Sequence, residues 1–403
     1  MLVDPSVEPA RFAAVGHTRA LVVVAALVTG ACDDFSPQVG AELAVTCAPT
    51  VSDSYGQTAP RGCADAGVDA PSNTVAPDSG VTGNVLIADQ YNNRVIEITR
   101  QGEIVWIFGD GSSVPGPMSI VAPNDAERLP NGETLMCGTG APPGAEPGCS
   151  DAGCPDNRVL IVDDSSNSIW QFGADGGASG SGPGELSAPV AAMLVPTMTG
   201  DHVLITDQGN DRIIEVVRAT REIAWQFPPS DATAEQTLTG PNSAERLPDG
   251  HTLIADEGGN RVVEVTEGGS IVWQYPSIID AATLDGPAFA SRLPSGNTLI
   301  TDSNNDRILE IDAAEPPHVV WTYLTASRTT QGNPSPSRAV RLANGHTLIT
   351  ETFDDQIIEV DGTPEQNVVY THGVLGVGLS GAGELNQAYD AKVVGDFTGL
   401  GVF

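Results

Sequence analysis

Two sets of charged residues recur along the chain at fixed spacing. An acid stands at Asp89, Asp207, Asp256 and Asp302, with Glu351 in the last copy and Gly138 in its place in the second. A base follows five residues later at Arg94, Arg212, Arg261 and Arg307, with Gln356 in the last copy. Carboxylates gathered on one rim could hold a hard cation that takes several oxygen ligands. Asp89, Asp207, Asp256, Asp302 and Glu351 are therefore the candidate metal ligands, and calcium is the candidate cofactor. The recurrence also has a structural reading, which is preferred. A site is local and asymmetric, whereas an Asp beside a tight turn can accept backbone N–H groups and pair with a nearby Arg in every copy.

A second base recurs at Arg128, Arg246, Arg292 and Arg341, with Leu194 and Val393 in the remaining copies. It could ring a channel and bind an anion, or pair between repeats with the abundant carboxylates; the pairing is preferred. His202, His251 and His346 share one place after a turn and read as solvated. The chain holds no nucleophile elbow and no phosphate loop. The Gly-rich stretch 173–185 follows a strand pattern and does not open a helix. No catalytic or cofactor-binding residue is assigned.

The elements that position these residues come from an internal repeat. Trp106, Trp170, Trp225, Trp273 and Trp321 all fall at one repeat place, with Tyr370 in the sixth. The clearest copy, Arg246 to Tyr275, reads RLPDGHTLIADEGGNRVVEVTEGGSIVWQY. A first strand ends at a Pro-Asp-Gly or Pro-Asn-Gly turn, and three more short apolar strands follow. Four strands in about 48 residues make a propeller blade. The expected fold is all-β, a six-bladed β-propeller over 82–403. The second copy is broken by a Cys-bearing insertion, 138–156. The first copy lacks its own first strand, and the stretch 381–394 supplies an orphan one. It is expected to complete the first blade beside 83–89, which removes an open sheet edge.

Residues 1–31 read as an export signal. Ala20 to Val28 are nine apolar residues in a row, too short to span a bilayer and suited to a signal core. From 32 to 81 the composition, rich in Ala, Asp, Pro, Ser and Thr, predicts a flexible stalk. Six Cys in an exported chain suggest disulfides. Cys47 and Cys63 flank a short loop and could pair. Cys137, Cys149 and Cys154 cluster around the insertion, and the connectivity stays open.

With 52 acidic and 18 basic residues, the net charge is −34. Binding to nucleic acid, which rests on Lys and Arg displacing counterions, is excluded. Lys392 is the chain's single lysine. No apolar run is long enough for a spanning helix, so contact with a membrane is expected only through a lipid anchor.

The pattern G-x-x-L-I-x-D-x-x-N-x-R-V-x-E-V resembles the NHL-repeat propellers. The phrasing R-L-P-N-G-x-T-L-I, ending in I-V-W-Q-Y, resembles the propeller of the arylsulfotransferase-like family. Together they cover about 82–395. The leader, with Cys32 after Gly30 and Ala31, resembles a bacterial lipoprotein signal, which implies acylation of Cys32; secretion after cleavage at Ala31 is the alternative. The arylsulfotransferase resemblance implies a nucleophilic His before the first-strand Ala. That place holds Asn124-Asp125, Asn242-Ser243 and Ala288-Phe289, so catalysis is not expected to carry over. The expectation is a monomeric propeller in the bacterial envelope, lipid-anchored or secreted. One face, with the insertion as its most specific loop, would bind a protein or small-molecule ligand. A sulfotransferase-like or lyase-like enzyme is the alternative.

Overall fold

The computed structural model describes residues 83–145, 148–149, 152–276, 283–325 and 334–396, with three two-residue strands at Val51–Ser52, Thr58–Ala59 and Thr74–Val75. All belong to the unit Ala44–Phe403. The leader, Cys32, Cys47 and Cys63 lie outside the described residues.

Six antiparallel sheets form the six blades of a β-propeller. In blade order, the first strands are Asp390–Val393, Pro123–Arg128, Pro189–Val195, Pro241–Arg246, Pro287–Arg292 and Pro336–Arg341. These strands adjoin one another around the axis. The second strands are Val85–Asp89, Thr134–Ala141, His202–Asp207, Thr252–Asp256, Thr298–Asp302 and Thr347–Glu351. The third are Arg94–Ile98, Cys154–Val162, Arg212–Val217, Arg261–Val265, Arg307–Ile311 and Gln356–Val360. The fourth are Ile104–Phe108, Ser168–Phe172, Ile223–Phe227, Ile271–Tyr275, Val319–Leu324 and Val368–Gly373.

Closure follows the expectation. The C-terminal strand Asp390–Val393 pairs with Val85–Asp89, Ala391 opposite Ile87 and Val393 opposite Val85. In blades one, four, five and six the second strand is buried throughout, because each sheet is covered on both faces by its neighbours.

Turn chemistry fixes the register. Gly132, Gly250, Gly296 and Gly345 sit at φ of 86 to 89° after the first strand, a conformation that favours glycine. At the next turn Asn93, Asp211, Asn260, Asp306 and Asp355, and within the prolonged third strand of blade two Asn157, adopt the left-handed region, which Asn and Asp tolerate best among residues with a side chain. Each of these side chains accepts a backbone N–H just ahead of the next blade's first strand. The donors are Ala122, Ala188, Gly240, Gly286, Ser335 and Gln387. The sixth such latch, Asp355 to Gln387 at 2.7 Å, crosses the closing junction.

Part of the segment expected to be a stalk is a strand. Thr74–Val75 adds antiparallel to Val368–Gly373, making blade six five-stranded. The insertion is not a free loop either. It prolongs the second and third strands of blade two as a hairpin, with Gly140 opposite Pro155 and Ala141 opposite Cys154. Cys149 and Cys154 are joined by a disulfide. Cys137, a disulfide candidate from its neighbourhood in the sequence, is a free, buried thiol. It lies inside the second strand opposite Asp125, and burial pushes its thiol pKa up.

Candidate functional site

The recurring charges divide between the two ends of the strands. At the end where the first strand turns into the second, each blade junction carries one arrangement. Third-strand Glu97, Glu215, Glu264, Glu310 and Glu359 each bond the polar residue that opens their own second strand. Those partners are Asn84, His202, His251, Asn297 and His346, at 2.6 to 2.7 Å. The other carboxylate oxygen takes an Arg from the next blade. Arg128 reaches Glu97, Arg246 Glu215, Arg292 Glu264 and Arg341 Glu310. The same guanidinium lies 4.2 to 5.2 Å from the ring centroid of the preceding blade's Trp: Trp106, Trp225, Trp273 or Trp321. The His residues are thus paired with carboxylates, not merely solvated, and the Arg set joins neighbouring blades.

Two junctions depart from this arrangement, each with a compensation. At the closing junction Val393 stands in the Arg place. Arg100, from a different turn of blade one, pairs with Glu359 at 2.8 Å and covers Tyr370. Between blades two and three, Ile161 replaces the Glu and Leu194 the Arg; both pack with Trp170 in one apolar cluster. Changing both members together leaves no buried charge unmatched.

The candidate metal ligands Asp89, Asp207, Asp256 and Asp302 sit at the other end of the strands, each in its own blade. One oxygen of each accepts an amide ahead of its own first strand: Asn386, Ser187, Thr239 or Asp285 respectively. The other oxygen takes Arg94, Arg212, Arg261 or Arg307 at 2.6 to 2.8 Å. Burial pushes the carboxyls of Asp89, Asp207 and Asp256 up, against these donors. Glu351 is fully buried opposite Gln356. Blade two, where Gly138 holds the Asp place, is repaired from across the insertion. Asp156 pairs with Arg158 and accepts the Val121 amide at 2.7 Å, and a Cβ on Gly138 would collide with its carboxylate. Among the described residues, Asp249, His251 and Glu264 form a cluster with metal-ligating atoms within 4.8 Å of one another. Within it, His251 and Arg292 already occupy both Glu264 oxygens.

The axis is where the blades differ. At one register the first strands carry Asp390, Asp125, Ala191, Ser243, Phe289 and Arg338; two residues on they carry Lys392, Glu127, Met193, Glu245, Ser291 and Val340. The residue between is always Ala: 391, 126, 192, 244, 290 and 339. These strands are sheet edges, so their amides need acceptors from elsewhere. Asp390 accepts from Ala126, Asp125 from Ala192, Ser243 from Ala290 and Glu245 from Arg292. The two cations are matched. Lys392 donates to Asp125 at 2.6 Å and Asp390 at 2.8 Å. Arg338 reaches Asp125 at 2.9 Å and Asp390 at 3.0 Å. Burial would raise the Asp125 carboxyl, but Lys392 and Arg338 hold it at about 2. Glu127 is different. Its Oε1 is buried without a hydrogen-bond partner, and burial pushes its carboxyl to about 7. It lines a cavity of about 30 Å³ with Asp125, Ser243, Glu245 and Lys392.

A larger cleft, about 420 Å³, runs along the junction of blades three and four. Met193, Val195 and Trp225 give it an apolar wall, and His202, Arg246 and Glu267 a polar one. The blade-three turn beside it, Pro196 to Asp201, carries the fully exposed Met198. The repeat reading missed this cleft, since it arises where one copy abandons the Leu-Pro-x-Gly turn. It also missed the axial cluster, for which Lys392, the chain's one lysine, was the available signal.

Fold and site together define a six-bladed β-propeller. Residues 156–281 match a family model described as outer membrane protein assembly factor BamB. No curated protein sequence matches the chain. A solved protein of unknown function from Bacteroides caccae is similar, with 13% identity, a TM-score of 0.51, and coverage of 77% of this chain and 98% of that one. A streptogramin B lyase structure shows 16% identity and a TM-score of 0.46, covering 74% and 82%. Virginiamycin B lyase from Staphylococcus aureus shows 14% identity and 0.46, covering the same shares. At such identities the likeness is one of fold alone.

Proposed function

We propose that this chain is an exported propeller of the bacterial envelope that works by binding a protein or small-molecule ligand. The cleft between blades three and four is its contact surface. The observation that carries this reading is how the chemistry-bearing residues are used. The repeated acids and bases hold turns and neighbouring blades together, while the cleft offers an apolar wall beside polar groups at ligand-site size. The BamB-like match over 156–281 and the lipoprotein-like leader with Cys32 support an envelope location. The NHL-like and arylsulfotransferase-like phrasing agrees with a propeller, and the missing first-strand His argues for binding over sulfotransfer.

Site-specific photocrosslinking in bacterial cells that export the chain tests this. A crosslinker at Ala224, in the cleft wall, should give discrete adducts. One at exposed Ser181, in the loop leading into blade three, should give none. Equal labelling at both positions, or none at Ala224, refutes the reading.

A further inference from the structure

The outer edges of the blades are alike except in two places. In every blade the pairing of third and fourth strands slips by one residue just before the Trp or Tyr place. Such a bulge leaves one residue of the fourth strand unpaired. The bulged residues are Val105, Ile169, Ala224, Val272, Val320 and Val369. Val105, Ile169, Val272 and Val320 are 46 to 53% exposed. Val369 is half-buried, and its blade is the sixth, where Thr74–Val75 pairs along the outer edge opposite Thr371 and Tyr370. This edge therefore accepts an extended segment. Blade three is the other exception. Its bulged residue is Ala224, the smallest of the set, and it stands in the wall of the cleft beside Trp225. Ile223–Phe227 ends its sheet, with no strand beyond it among the described residues. Trp225 and Gln226 take the places there that Tyr370 and Thr371 take in blade six.

We infer that the cleft takes an extended peptide of alternating apolar and basic residues, added as a fifth strand to Ile223–Phe227. This rests on the reading of the cleft as the contact surface and names the partner's chemistry. An added strand satisfies the edge through its main chain, and pockets beside it select alternate side chains. Trp225 lies against Arg246 of blade four, so side chains on that face of the added strand meet the apolar wall of Met193, Val195 and Trp225. Ala224 leaves there the room that a Val or Ile takes in the other blades. The polar wall sets the charge. Both Glu215 oxygens are taken, by His202 and Arg246. Glu267, exposed at the cleft, has no ion pair among the described residues and is the acid left to receive a cation. A chain of net charge −34 attracts a basic segment and repels a second copy of itself.

The test is selection from a displayed library of random linear peptides on the full mature chain. The expected result is enrichment of peptides in which Val, Ile or Leu alternates with positions that include Lys or Arg. The strongest binder, made synthetically, should slow hydrogen exchange at amides within 223–227. Glu267→Lys should weaken its binding about tenfold, because attraction becomes repulsion. Glu365→Lys, the same change at an exposed residue in the corresponding turn of blade six, should not. Ala224→Trp, with an unchanged circular dichroism spectrum, should abolish binding. Enrichment of acidic peptides or of none, unchanged exchange at 223–227, or equal weakening by both charge reversals overturns the inference. So does a dimer in size exclusion that Ala224→Trp dissolves, which assigns the edge to a second copy. Discrete crosslinks from Ala224 beside any of these failures leave the cleft as the contact surface and refute only the peptide; absent crosslinks refute the cleft itself.

Discussion

Replacing Glu127 by Gln keeps its shape and removes its charge, so it isolates what burying that charge costs. In the folded chain the carboxyl pKa rises from 4.5 to about 7, burial being the main cause. Lys392 and Arg338 pull it down, and Asp125 and Asp390 push it up. At about 1.4 kcal/mol per pH unit, the ionised form loses about 3 kcal/mol relative to the unfolded chain. The sign follows from the direction of the shift. Stability associated with Glu127 is fully present below pH 4.5 and is lost as pH rises through about 7. In EDTA, urea unfolding of the wild type and Glu127→Gln should agree near pH 4.5 and diverge above it. At about pH 8 the variant should be more stable by up to about 3 kcal/mol. Parallel stability curves across this range, or a variant less stable at high pH, would refute the reasoning.

Other predictions concern the ring. Gly138→Asp restores the repeat consensus yet should destabilise blade two by about 2 kcal/mol or more, because the new carboxylate meets that of Asp156; adding Asp156→Gly should recover most of the loss in urea unfolding. Deleting residues 387–403 removes the last latch and the first strand of blade one. The product should aggregate or lose its cooperative transition in size exclusion and circular dichroism, and a soluble monomer of unchanged stability would contradict closure by that strand.

Much of the fold was legible because each blade must bury the same strands against the same neighbours. Four strands, their turns and the orphan C-terminal strand are written in residues that recur. What pairs with what across blades was not legible. Glu264, the Glu of the R-V-x-E-V pattern, joins His251 of its own blade to Arg292 of the next. Arg100 and Asp156 restore the arrangement from positions outside the repeat register, where only the ring geometry reveals them. The axial charges escaped for the opposite reason. Asp125 shares its register only with Asp390 and Glu127 only with Glu245, while Arg338 and Lys392 stand alone, and a reading built on repetition passes over them. Cys137 was misleading because closeness in sequence to Cys149 and Cys154 does not bring a mid-strand thiol to them.

The central claim is that the recurring acids and bases are architecture. It is tested most directly by a double-mutant cycle on Glu264 and Arg292, whose ion pair crosses two blades at 2.7 Å. Unfolding free energies of Glu264→Gln, Arg292→Ala and the double variant should give a favourable coupling of at least about 1 kcal/mol. Additivity within about 0.3 kcal/mol would contradict the account.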